Sequence, residues 1–456
     1  MNLWKYIKDR MMQNHLQLIC EKDKSFNYTE VTNIVEEFAK KISHEKCCAV
    51  ICSSELYSAM ALLSCFAAGV TAAPISMRYG ENICNKILDK IKPTAIITDI
   101  AGILCKIQYN GGYIVPEKHP ALIMCTSGTS GSPKGVMLSE QNIYTNVTDI
   151  AEYFDIETND SILISRPLYH SAVLTGEFLL SLSKGVKIVF DSESFNPQSL
   201  WASIKKNNIT TFCGTPTILS LMARFKKRAS TLKTICISGE CLSAHDGKQI
   251  AEAFPEAKIF HVYGLTEASP RVCYLPSEYF NEYPDSVGLP LKSVKVKLLN
   301  RSGEEAQINE DALLYVKGEN IMLGYYNNPE LTKRTLQNGW LYTGDIASIN
   351  SKGFIKIKGR NDDLIIRAGM NIYPQEIEGI VRSDPRVKEV YVYSYKDRHN
   401  IEQLGMKIAG DFKNADEVIS LCIELLPGFQ IPSSVELIKE LPKNGSGKII
   451  RGKNNA

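Results

Sequence analysis

The chain is predicted to be a layered α/β protein, and three observations predict it. Helix-period and strand-like apolar runs alternate from residue 26 to residue 99, the pattern of a doubly wound layer. Three later strand-like runs end in small residues or glycine, as strands do where a ligand sits beyond their carboxyl ends. Between two further apolar runs lies a stretch of glycine, serine and threonine, residues 126–135, too short and too tightly held to be a spacer.

Taken in order, Leu3, Trp4, Ile7 and Met11 share one face of an N-terminal helix. Helical spacing returns over residues 31–42, 56–68 and 82–91, with short apolar strands at 47–52, 70–75 and 94–98 between and after them. The most apolar window, 59–75, is interrupted by Ser64, Gly69, Thr71 and Pro74, so it reads as a buried helix and a strand rather than a membrane span. Strands follow at 121–125, 136–138, 162–164, 185–190, 234–237 and 259–262, and helices at 173–182, 200–206 and from 218. From 294 to 315 the pattern changes to short strands with turns. Beyond 363, strands at 364–366, 387–393 and 435–437 and helices at 375–382 and 417–425 suit a small α+β unit.

At 456 residues the chain is long enough for two domains or more. Fifty-two basic against 50 acidic residues leave +2, too little to recruit nucleic acid or a membrane surface. Thirteen cysteines form an odd set with no Cys-x-x-Cys pair, which suggests neither a disulfide framework nor zinc. Residues 1–24 lack the apolar core of a signal peptide. The expectation is a cytoplasmic protein with neither nucleic acid nor membrane as partner.

The chemistry begins at Thr126-Ser127-Gly128-Thr129-Ser130-Gly131-Ser132-Pro133-Lys134-Gly135. Glycines let backbone N–H groups approach an anion, and the hydroxyls and Lys134 add donors, so the stretch reads as a polyphosphate cradle. A Walker loop is excluded, because Pro133 precedes Lys134, Gly135 follows it, and a strand rather than a helix comes next. In Tyr263-Gly264-Leu265-Thr266-Glu267 a tyrosine face can stack on adenine and Gly264 permits close approach. Thr266 can bond a phosphate oxygen, and Glu267 can help hold Mg²⁺. The same residues also allow a plain glycine turn. Gly239, Glu240 and Cys241 follow another strand, as do Gly214 and Thr215, and these ends are expected to share one site with the cradle. Asp345, in Tyr342-Thr343-Gly344-Asp345, can accept both ribose hydroxyls or cap a turn. His170 in Pro167-Leu168-Tyr169-His170 can gate a pocket or be a half-buried bonded histidine. Asn444-Gly445-Ser446-Gly447 makes a tight turn that would fix Lys448 in space.

These motifs, in this order, resemble the adenylate-forming superfamily of acyl- and aryl-CoA synthetases, luciferases and peptide-synthetase adenylation domains. The resemblance implies a large domain, 1–361, of layered αβα subdomains with a small β-barrel-like subdomain. A small mobile α+β domain, 362–456, would turn about a hinge near Asp362. It implies an ATP-dependent acid–thiol ligase using ATP and Mg²⁺, with a carboxylic acid and coenzyme A as substrates. A carrier-protein phosphopantetheine is the alternative thiol, and a nucleotide-binding protein without catalysis is the alternative of another class. Arg360 would touch the nucleotide, Gly369 would line the thiol tunnel, and Lys448 would be the catalytic lysine. His170, Ser171, Ala172, Gly176, Gly214, Thr215 and Gly264 would bound the acid. Amino-acid-activating relatives place an aspartate where this chain has Ser171, so an amine-free acid is expected. Two departures stand out: a short connection between residue 99 and the cradle, and Asp311-Ala312-Leu313-Leu314 where the family often has Gly-Glu-Leu.

Overall fold

The structure is a computed structural model, and it describes residues 2–109, 111–126, 133–191, 196–225, 231–367, 370–398 and 402–442. Its first sheet grows from strands that are covered on both faces and therefore carry almost no polar residue. Cys47–Val50 and Thr71–Pro74 are wholly buried and lie parallel, Cys47 opposite Thr71. The helix Glu55–Ala68 between them starts at the Ser54 cap and stops at Gly69, whose φ of 67° suits glycine. The apolar window is thus a buried helix and strand, as read. Around this pair run Ala95–Ile100 and Leu122–Thr126, with Lys134–Leu138, Gly324–Tyr325 and Ile103–Gln108 antiparallel at the edges.

The second sheet has nine strands. Six run parallel in the order Lys258–Gly264, Thr234–Ile237, Thr211–Gly214, Ser161–Ile164, Lys187–Phe190 and Leu18–Glu21. From Ser161–Ile164 the chain moves to one side and then crosses back to Thr211–Gly214 on the other. This reversal opens a crevice beyond the carboxyl ends of those two strands, where open α/β sheets bind ligands.

Some elements differ from the sequence reading. The strands Leu18–Glu21 and Lys24–Asn27 form a hairpin that extends the second sheet. The helices Glu140–Tyr153 and Ala244–Ala253 were not anticipated, although Ser139 and Asn142 form a capping box. The helix expected over 173–182 contains a π-helical stretch, Leu174–Leu179, between short α-helical turns. Such widened turns commonly mark functional sites.

A small antiparallel sheet of Val294–Leu299, Ala312–Gly318, Leu336–Gln337, Trp340–Ile349 and Ile355–Arg360 makes the barrel-like part. The α+β unit after it has its own apolar core, including Ile365, Ile377, Val390, Leu404, Met406 and Leu421. It meets the preceding residues through ion pairs, Lys358 with Glu376 at 2.9 Å and Arg382 with Asp246 at 3.6 Å. Gly379 passes close to Ser243 there, and its absent Cβ would lie 3.0 Å from that side chain. The architecture is the layered α/β class predicted from the sequence.

Candidate active site

The crevice is a cavity of about 570 Å³ beyond the carboxyl ends of the second sheet. Gly239, Glu240, Cys241, Tyr263, Gly264 and Thr266 line it from successive strand ends, and Asp345 and Arg360 face it from the barrel-like sheet. His170, Ser171, Ala172 and Thr215 line the part below. Residues far apart in sequence therefore meet because parallel strands deliver their carboxyl ends to one edge.

On the upper wall the Tyr263 hydroxyl donates to an Asp345 carboxylate oxygen. Arg360 Nη1 donates to Asp345 Oδ1 at 3.0 Å and to the Thr343 carbonyl at 3.1 Å. Gly344 has φ 75°, and a Cβ there would sit 2.9 Å from Arg360 Nη2, so glycine makes room for the guanidinium. Burial pushes the Asp345 carboxyl up from its usual range, while Arg360 and then Tyr263 draw it back. Burial raises the Tyr263 phenol, and neighbouring Asp345 adds to it. Gly264 is also constrained by its own chain, since a Cβ would lie 2.3 Å from the Pro270 carbonyl oxygen. Glu240 accepts from the Thr217 hydroxyl at 2.7 Å.

The cradle's two strands, Leu122–Thr126 and Lys134–Leu138, are antiparallel neighbours with Thr126 opposite Lys134. Ser127, Gly128, Thr129, Ser130 and Gly131 lie outside the described residues, as do Gly369 and Lys448. Lys134 opens its strand rather than sitting in the loop, and its Nζ stands 5.9 Å from the Tyr325 ring centroid. Tyr325 donates to Glu267 Oε1 at 2.8 Å. Glu267 Oε2 has no hydrogen bond among the described residues, so this carboxylate has an oxygen left to offer a hard cation, and Mg²⁺ fits it.

On the acid side the Ser171 hydroxyl donates to Thr266 Oγ1 at 3.1 Å, joining the two halves of the cavity. The His170 ring lies 4.2 Å from that of Tyr169. Two expected wall residues are placed elsewhere. Gly176 was read as leaving room for substrate, but the space beside it holds the Arg271 guanidinium, 2.8 Å from where a Cβ would stand. Gly214 likewise faces Leu219 and the Phe212 ring, in the core. Arg166, Arg271 and His261 line the cavity and were missed. For the two arginines the available signal was a charge just after or at the start of an apolar strand; His261 sits within Lys258–Gly264 and carried no such signal.

His261 is 2 % exposed, and burial holds its imidazole down to about 4. An unfolded chain takes the proton near 6.5, so between those values only the unfolded state is protonated. Stability is therefore lost as pH falls from 6.5 to 4, by about 3 kcal/mol in all for a shift of this order. His261→Gln is expected to flatten that acid limb in urea midpoints measured from pH 4 to 7. An unchanged limb would assign it to other groups.

The nucleotide-like wall and the acid-side pocket of this cavity, with Lys134 and Glu267 meeting at Tyr325, define a nucleotide-dependent enzyme site. The sequence profile of the family described as AMP-binding enzyme matches residues 106–326. A feruloyl-CoA synthase of an Amycolatopsis species is 31% identical over 341 residues, covering 73% of this chain and 68% of the relative. A long-chain-fatty-acid–CoA ligase of Escherichia coli is 30% identical over 387 residues, covering 81% and 68%. The chain belongs to the AMP-binding enzyme family. Among solved structures, the Bacillus subtilis O-succinylbenzoate coenzyme A synthetase in complex with ATP and magnesium ion superposes with TM-score 0.87. It is 25% identical, and the match covers 99% of each chain. Among the described residues no helix is long and apolar enough to cross a membrane.

Proposed function

We propose that the catalytic cycle of this chain joins an amine-free carboxylic acid to coenzyme A inside the cavity described above. The chain is an ATP-dependent acid–CoA ligase that works through an acyl-adenylate. An oxygen of the acid attacks the α-phosphorus of ATP, the bond to the bridging oxygen breaks, and pyrophosphate leaves. The thiol sulfur then attacks the acyl carbonyl carbon, AMP departs with the bonding pair, and the thiol proton passes to solvent.

The observation that carries this reading is the Ser171–Thr266 hydrogen bond, because it ties the acid side to the nucleotide side within one cavity. Tyr263 is assigned to adenine, Asp345 to the ribose hydroxyls and Arg360 to holding Asp345 in place. Thr266 meets a phosphate oxygen, the cradle with Lys134 holds the polyphosphate, and His170 gates the acid. Mg²⁺, when bound at Glu267, neutralises charge on the phosphates. Lys448 supplies a positive charge at the α-phosphate and Gly369 admits the thiol, both by resemblance. The large domain is taken as 1–361 and the small one as 362–456, turning near Asp362 between the two steps. Ser171 cannot hold an ammonium by charge, which favours amine-free acids. The cytoplasm suits thirteen cysteines among which no disulfide forms.

The test is pyrophosphate release across aliphatic, aromatic and amino acids, with thioester formation followed on coenzyme A and on a carrier protein. Amine-free acids are expected to react fastest and coenzyme A to accept the product. An α-amino acid as the best substrate would overturn the pocket reading. Transfer to the carrier alone would overturn the choice of thiol.

A further inference from the structure

Below the acid side lies a charged cluster that adenylation itself does not use. Arg166 follows the strand Ser161–Ile164, Glu177 comes from the π-helical stretch, and Arg271 opens the strand Arg271–Leu275. Glu177 is 1% exposed and Arg271 3%, while both arginines line the cavity. Arg166 Nη2 donates to Glu177 Oε1, and to Ser238 Oγ at 3.3 Å. Among the described residues Arg271 has no such hydrogen-bonded carboxylate, and Glu177 acts on it through charge alone. Its guanidinium makes one long contact, Nη1 to Cys236 Sγ at 3.9 Å. The Cys236 thiol is drawn down to about 7, by its hydrogen bond with Cys213 first and, against burial, by Arg271. The contact to Cys236 is too long for a strong bond.

Two guanidiniums thus face one carboxylate, leaving an excess positive charge in a buried place, where an unpaired ion is strongly disfavoured. Both Nε atoms and Glu177 Oε2 lack partners among the described residues, as do the nearby hydroxyls of Ser165 and Thr175. Unsatisfied polar atoms at this density call for an occupant. The site is also built to hold Arg271. Asn146 accepts from its backbone N–H at 3.0 Å and donates to its carbonyl at 2.8 Å, and Asn320 donates to the same carbonyl at 3.0 Å. Gly176 lacks the Cβ that would clash with the guanidinium.

We propose that the acid carries a second carboxylate, which seats against Arg271 and Arg166 while the first is activated beside Thr266. This rests on the ligase reading and narrows its substrate class to dicarboxylic acids. Guanidinium is suited to the task because its planar fork matches a carboxylate.

The test measures pyrophosphate release for matched acids: a dicarboxylic acid, its monomethyl ester and the parent monocarboxylic acid, for aliphatic and aryl-linked spacers. The diacid is expected to exceed its half-ester by about 10²-fold or more in kcat/KM, since a site built around a polar group rejects analogues lacking it. Arg271→Leu should collapse that ratio by about the same factor, through KM, and Arg271→Lys should restore part of it. Each ratio is taken within one preparation, so incomplete folding of a variant cancels. A wild-type preference for half-esters overturns the proposal, as does an Arg271→Leu variant that slows all acids equally. Release with neutral acids alone refutes the proposal and leaves the ligase standing. Release with no acid refutes both.

Discussion

Lys448→Ala is expected to slow adenylate formation by about 10²–10³-fold, the usual loss when one donor aimed at developing charge is removed. Adenylation brings a carboxylate against a polyphosphate that repels it, and negative charge builds at the α-phosphate as phosphorus becomes five-coordinate. A metal held at Glu267 would serve the phosphates that leave. A second cation is wanted where acid and α-phosphate meet, and no described lysine lines that cavity. Lys448 lies outside the described residues, and its assignment rests on resemblance and on this chemistry. Thioester formation from supplied acyl-adenylate should suffer much less, because no pyrophosphate is then displaced. Near-normal pyrophosphate release by the variant would sink the assignment and leave the C-terminal segment as a solvated basic tail.

Asp345→Ala is expected to raise the KM for ATP about 100-fold. The side chain is 9% exposed and ties Tyr263 to Arg360, so its removal strands a phenol and a guanidinium together. Breaking a fully buried pair costs 3–5 kcal/mol as a rule. Arg360 is 45% exposed, and water returns part of that, leaving about 2–3 kcal/mol. That cost falls on the fold, whereas the KM change comes from the lost ribose hydrogen bonds to a charged acceptor, about 1.5–3 kcal/mol each. Asp345→Asn keeps the shape and a hydrogen-bonding oxygen, and should lose less. An alanine variant whose ATP KM stays within about twofold of wild type would remove Asp345 from the nucleotide site.

How much of this was legible in the sequence depended on range. Signals set by neighbours along the chain were readable: the two strands Leu122–Thr126 and Lys134–Leu138, the buried helix stopped at Gly69, the strand ends at Gly239 and Gly264. The N-terminal hairpin was not, because its turn carries Lys22 at φ 55°, without the glycine or asparagine that usually marks such a position. The helix Glu140–Tyr153 was obscured by the polar residues it buries, Asn142, Asn146 and Asp149. Gly176 and Gly214 show the limit most clearly. A small residue signals that something needs the space, and only the fold tells what. At Gly176 it is Arg271, which arrives from a strand distant in sequence, and the Arg166–Glu177–Arg271 cluster exists only once three separate elements converge.

The junction between the C-terminal unit and the rest has a mechanical consequence. Its ion pairs and hydrogen bonds include Lys358–Glu376, Arg382–Asp246 and Tyr373 with Asp311, while Ile365, Ile377, Val390, Leu404, Met406 and Leu421 pack in the unit's own core. A greasy joint would behave as a weld, since separating it exposes apolar surface to water. A joint of charges behaves more as a clutch: Lys358, Glu376 and Arg382 keep between about a fifth and a third of their side-chain surface in water, so each can trade part of its partner for solvent, and dissolved salt screens some of the attraction. Such a coupling would suit the turning proposed near Asp362, since neither arrangement would become a trap.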